Sequence, residues 1–262
     1  MTFIYNQMVS GFRHLFPRGK FRYMLLLLSA IAATISVSEL LVMKFFATLV
    51  LNEGELDSNI LALAIIGFFV FFITTRLSQY YQRNYRVKAF ARSFRAAKKE
   101  RTRKEERREW TMAFEITNVL SYAAQLLAII IFFFLLNPII AAANLLVILV
   151  ILQVVGSIFQ KQIKTQGKLD EKASKQQLKP EKRYAERIRA GESGALISAS
   201  GTLILLALLL YFNIQGEINA SNTLVIFLGT RLQNSVISNT SRSLMRYAKA
   251  SASISFSDDL EE

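Results

Sequence analysis

Three charged side chains, Glu39, Lys44 and Glu115, sit inside long apolar runs. On insertion scales a charge at the centre of a bilayer costs about 2.5–3.5 kcal/mol, so each needs a partner or water. A fourth charge, Arg231, opens a polar series with Asn234, Ser235, Ser238, Ser241 and Arg242. Their spacing of three and four places them on one helical stripe, with Leu228, Leu232 and Val236 on another face. A polar stripe on a spanning helix faces the bundle interior or a water-filled cavity, which reads as a translocation path. The competing reading is interhelical hydrogen bonding, at about 0.6 kcal/mol per contact. By depth, Glu115 and the long Arg231 side chain are expected partners, whereas Glu39 and Lys44 lie about 140° apart on one helix and pair loosely. The chain has no cysteine and shows no carboxylate pair, metal cluster or nucleophilic triad, so no catalytic residue and no metal site is assigned. The phosphate-cradling G-x-x-x-x-G-K-[ST] loop is missing too: Gly19-Lys20 and Gly167-Lys168 lack both the upstream Gly and the following Ser/Thr.

These residues need apolar helices to carry them. Of 262 residues, 52% are hydrophobic, and they fall in runs near the roughly 20 residues a spanning helix requires. Such runs exclude a soluble enzyme, a secreted disulfide scaffold and a disordered tail. The net charge is +13, from 32 Lys and Arg against 19 Asp and Glu, and apart from Lys44, Arg76 and Arg231 the basic residues fall in alternate loops. Four basic residues precede the first run, twelve lie between Arg83 and Arg108, ten between Lys161 and Arg189, and Arg242, Arg246 and Lys249 follow the last run. That is the positive-inside pattern rather than a nucleic-acid footprint.

The elements follow in order. Residues 1–20 place Phe3, Ile4, Met8, Phe12, Leu15 and Phe16 near one face, as in an interfacial helix that ends near Pro17 and Gly19; His14 is a bystander there. Spans are expected at about 23–51, 60–80, 111–136, 139–159, 194–212 and from 223 onward. Tyr80, Tyr81 and Tyr85 mark an interface, and Arg76 snorkels toward it. The Asn137-Pro138 turn is so short that spans three and four must be antiparallel neighbours. Gly194, Ser198 and Gly201 form a small-residue face suited to close packing. Basic inner loops cover 81–110 and 160–193, the helical bundle covers 21–250 and an acidic tail covers 251–262, whose SFSDDLEE end is expected to lack structure.

A basic elbow helix, a long first span, a small acidic outer loop, the tight LLNPII turn, two large inner loops and the amphipathic RLQNSVISNTSRSLMRYAKASAS stretch occur in that order. This layout resembles the transmembrane domain of ABC exporters over nearly the whole chain. The resemblance implies an all-α polytopic fold of six transmembrane helices and a domain-swapped dimer in a bacterial inner membrane, with both termini cytoplasmic. It implies alternating-access transport of an amphiphilic or lipid-like substrate. It also implies no enzyme activity and no cofactor in this chain, with ATP and Mg in a separate ATPase subunit. Substrate-path candidates are Glu39, Glu115, Arg231, Asn234, Ser235 and Ser238. Inner-loop candidates for docking the ATPase are Phe94, Lys98, Lys99, Leu178 and Tyr184. The inner loops are shorter than the family's and no ATPase motif is present, which keeps a second reading open: a free-standing pore, scaffold or regulator of the same fold.

Overall fold

The computed structural model describes residues 2–16, 20–51, 58–96, 102–175 and 180–258. Among these the chain is helical throughout, with no strand: α1 (Thr2–Leu15), α2 (Lys20–Val50), α3 (Ser58–Ala96), α4 (Arg103–Leu136), α5 (Pro138–Lys175), α6 (Pro180–Ile214) and α7 (Ala220–Asp258).

Five helices are long and apolar enough to cross a membrane: Arg22–Val50, Ser58–Arg92, Glu105–Leu136, Pro138–Lys168 and Tyr184–Ile214. This fits an integral membrane protein. The sixth expected span, α7, has 39 residues and is about 58 Å long, yet it falls outside that apolar set. The reason is its position. Flanked by α2, α4, α5 and α6, it buries polar groups such as Gln233, Thr240, Ser241 and Ser243 among them, while Arg231, Ser235 and Arg242 stay exposed.

The helices also exceed the bilayer. With 39 residues in α3 and 38 in α5, each runs about 57 Å against a hydrocarbon core of about 30 Å. The basic segments expected as inner loops are therefore mostly helix, and only short connections join α3 to α4 and α5 to α6. Thr102 starts α4 with a capping box, its side chain accepting from the Glu105 N–H while Glu105 accepts from the Thr102 N–H at 2.8 Å. At the opposite end Asn137 caps α5: its Oδ1 accepts from the N–H groups of Ile139 and Ile140 at 3.0 Å, with Pro138 in the first helical position, where no N–H is needed. Of the tail, α7 continues as helix through Asp258, so 255–258 differ from the expectation, and 259–262 lie outside the described residues.

The core lies where α4 and α7 cross between α2 on one side and the α5–α6 pair on the other. Gly229 of α7 faces Phe133 of α4 and Leu40 of α2 there, so closely that a Cβ would meet Phe133 at 2.7 Å. The α3 helix packs along α2 and leaves a broad apolar surface from Ile60 to Leu77 exposed, with Tyr80, Tyr81 and Tyr85 beyond it. Its inner face is polar instead: Thr75, Gln79, Gln82 and Arg86 recur at spacing three to four. At the basic end α1 packs against α4 and α5. Gly11 touches the Tyr247 hydroxyl, and Phe16 stacks on Phe90 of α3 at 5.8 Å between ring centroids.

Candidate functional site: the polar helix and its charged cluster

The stripe read from the sequence of α7 divides along its length. Its centre, Arg231, Ser235 and Arg242, is exposed, with Ser238 half-buried among them. One flank turns into α6. Ser198 donates to the Asn234 Oδ1 at 2.6 Å, and Ser241 donates to the Gly191 carbonyl at 3.4 Å while lying against Gly194. Gly201, farther along α6, faces Ile151 and Val147 of α5 instead. A third row on α7, not part of the expected stripe, is fully inside: the Gln233 and Asn144 amides exchange two hydrogen bonds of 2.8 Å between α7 and α5. The hydrogen-bonding reading therefore holds for Asn234 and Ser241, and Arg242 pairs with Glu192 of α6, while Arg231 and Ser235 stay exposed.

Toward the basic end, charged side chains of three helices meet. Glu115 of α4, whose side chain is 7% exposed, receives Arg246 of α7 at 2.7 Å, the arginine being 48% exposed. This corrects the pairing expected with Arg231. Fifteen residues separate the two arginines, about 22 Å along the helix, which no side chain spans. Asn118 donates to the other Glu115 oxygen at 3.4 Å. Arg86 of α3 completes the group, donating to Asn118 at 2.5 Å and to Ser121 at 3.3 Å, with its guanidinium 5.5 Å from the centre of the Phe114 ring. One acid thus lies between two arginines carried by different helices. Such a group can hold helices in one arrangement and release them in another, because a buried charge deprived of its partner is costly. Neither Arg86 nor Arg246 was among the sequence-derived candidates. The signal that marks Arg86 is its place at the end of the polar row on α3.

Glu39 and Lys44 do not face one another. Gln79 of α3 donates to Glu39 at 3.1 Å, and Arg76 donates to the same Gln79 at 3.4 Å. Lys44 reaches the start of α7, donating to Asn222 at 2.5 Å and Ser221 at 3.3 Å. Of the docking candidates, Tyr184 is exposed on α6 beneath the Lys249 ammonium, 4.6 Å from the ring centre. Lys98, Lys99 and Leu178 lie outside the described residues, as does the side chain of Phe94. Gln162 and Gln166 of α5 are buried near the basic end with amide atoms that have no hydrogen-bond partner. Among the described residues no group of three His, Cys, Asp or Glu could hold a metal ion. Compared with protein-family models and with curated proteins, the chain matches none.

Proposed function

We propose that the chain is the membrane subunit of an ABC-type exporter, a six-span, domain-swapped dimer that moves an amphiphilic substrate by alternating access under the drive of a separate ATPase. The exposed polar stripe of α7 carries this reading. The outward surfaces of α3, α4 and α6 present Phe69, Ile73, Leu127, Ile131, Leu203 and Ile204, which suits lipid. Arg231 and Ser235 do not suit lipid, and polar residues at such depth line water or a partner; Arg242, nearer the basic end, is paired with Glu192 of α6 at 3.2 Å. A cavity closed by a second copy supplies that environment. The helical extensions beyond the bilayer support the same reading, because α5 and α6 pack together and such a pair can transmit force from a protein docked at its tip.

Two measurements test it. The first fixes orientation. The cysteine-free chain accepts single cysteines cleanly, and Asp57→Cys and Ala220→Cys should react with an impermeant thiol reagent added outside, whereas Lys99→Cys and Gln176→Cys should not. The reverse pattern inverts the topology, and mixed labelling ends the six-span count. The second is crosslinking from the tips of these extensions in native membranes, followed by purification in mild detergent. A nucleotide-binding chain should be captured. Phe94→Ala or Leu178→Ala should weaken that capture about tenfold, against about twofold for Lys98→Ala, Lys99→Ala or Lys175→Ala, because apolar anchors dominate interface energy and rim charges chiefly steer association. If only lipid or the chain itself is captured, the free-standing reading replaces this one. The Gln233–Asn144 and Ser198–Asn234 bonds favour that alternative, since they fix α7 to α5 and α6 within one chain.

A further inference from the structure

A groove of about 630 Å³ lies between α1, the start of α2, α4, α5 and the lower part of α7. Its walls are apolar, with Met8 and Phe12 from α1, Leu120 and Leu127 from α4, and Leu149 and Leu152 from α5. Along α4 it extends from Ile116 to Ile130, fourteen residues or about 21 Å, somewhat more than one leaflet of a hydrocarbon core about 30 Å thick. Leu26, Leu127 and Leu149 on its rim are exposed, so it opens sideways from the bundle. Two charges line it among the described residues, Arg13 and Arg22, both positive and both at the α1–α2 corner. Arg13 is exposed. Arg22 is half-buried: its Nη2 donates to the Phe16 carbonyl at 3.0 Å, its guanidinium stands 5.5 Å from the centre of the Phe12 ring, and its buried Nε has no partner.

We propose that this groove binds one anionic membrane phospholipid, its acyl chain along α4 and α5 and its phosphate at Arg22 and Arg13. Shape and charge point to the same occupant. The groove is closed by helices on one side and open to the membrane on the other, and among the described residues its charged end carries donors and no acid. The unpartnered Nε–H of Arg22 and the exposed Arg13 offer charge-assisted hydrogen bonds that a phosphate accepts; both lipid types carry that phosphate, but in a choline lipid the quaternary ammonium cancels its charge beside the two arginines, so the net-anionic lipid is favoured. The α1 helix forms a wall of the groove, so the lipid also holds α1 against α4 and α5. This inference needs the helices to lie in a membrane and does not depend on transport or on an ATPase.

The test uses the full chain, purified, delipidated and titrated with phosphatidylglycerol or phosphatidylcholine in native mass spectrometry. The wild type should bind phosphatidylglycerol about tenfold more tightly than phosphatidylcholine, in line with the attraction of basic side chains for anionic lipid. The Arg13→Ala/Arg22→Ala double variant should lose that preference to within about twofold, while Lys161→Ala, an exposed charge away from the groove, should keep it. Ala123→Trp should weaken both lipids by filling the chain-binding wall with both arginines intact. Inorganic phosphate should not compete, which separates a lipid site from a free-anion site. Equal binding of the two lipids by the wild type, an unchanged preference in the double arginine variant, or competition by phosphate alone overturns the proposal. Should the double variant fail to fold, unchanged lipid binding by Ala123→Trp does the same.

Discussion

Arg246→Ala should destabilise the protein by about 2 kcal/mol, and Glu115→Gln by only about 1 kcal/mol, although both remove the same ion pair. The asymmetry comes from burial. The Glu115 side chain is 7% exposed and the Arg246 side chain 48%. Without Arg246 the carboxylate stays inside the bundle without its ion-pair partner, left with the 3.4 Å contact from Asn118 and with Arg86 beyond that amide, and a buried charge so poorly compensated is the costly outcome. Glu115→Gln leaves an arginine that can turn to water and a Gln that still accepts from Asn118. The half-exposure of Arg246 keeps its figure below the 3–5 kcal/mol typical when a fully buried pair is broken. In the double variant the buried charge never arises, so it should be no less stable than Arg246→Ala alone, a coupling of about 1 kcal/mol. The single tryptophan, Trp110, lies on α4 five residues before Glu115 and reports unfolding in an SDS titration. If Glu115→Gln costs as much as Arg246→Ala, the carboxylate is solvated in the protein and the cluster is not a buried lock.

What the sequence made legible follows from which interactions are local. Span positions depend on apolar run length, so the expected 23–51 overruns the end of α2 by a single residue and 111–136 lies within α4. The α5 start was readable because the Asn137 cap and Pro138 act within four residues of one another. Periodicity also revealed the α7 stripe, since residues three and four apart share a face wherever the helix packs. It did not reveal the register of α7 against α4, a tertiary quantity, so Glu115 was matched to Arg231 instead of Arg246. Nor did it show which flank would be covered: Asn234 and Ser241 meet α6 and Ser235 does not, and Arg242 reaches Glu192 of α6 from the exposed side. Arg86 was missed for another reason. It was counted as loop charge once the second span was closed near Tyr80, although Thr75, Gln79, Gln82 and Arg86 already form one row. That row places polar groups inward and Ile73, Leu77 and Tyr81 outward, an ordering that lipid solvent permits because the apolar surface needs no hiding from it.

Glycine substitutions test the closest helix contact, and their effects should differ in sign. A Cβ on Gly194 would fall on the Ser241 Oγ and lie 2.8 Å from the Ser241 Cβ. Both residues are buried. A Cβ position is fixed by its backbone, so no rotamer change removes the clash and the helices must move apart. Gly194→Ala should therefore cost about 1–3 kcal/mol, the range for overpacking. Separation would also strain the 2.6 Å Ser198–Asn234 bond one turn along. Gly167 on α5 has nothing within 4 Å of the added atom. At that position Gly167→Ala should stabilise by about 0.5–1 kcal/mol, because alanine restricts the unfolded chain and favours helix. Ser241→Gly in the Gly194→Ala background should restore much of the loss by removing the atoms struck, whereas Ser243→Gly, also buried on α7, should not. The same SDS titration reads all four variants. If Gly194→Ala is as benign as Gly167→Ala, α6 and α7 do not approach this closely. The flank of α7 carrying Asn234 and Ser241 would then be free to line the same path as Arg231 and Ser235.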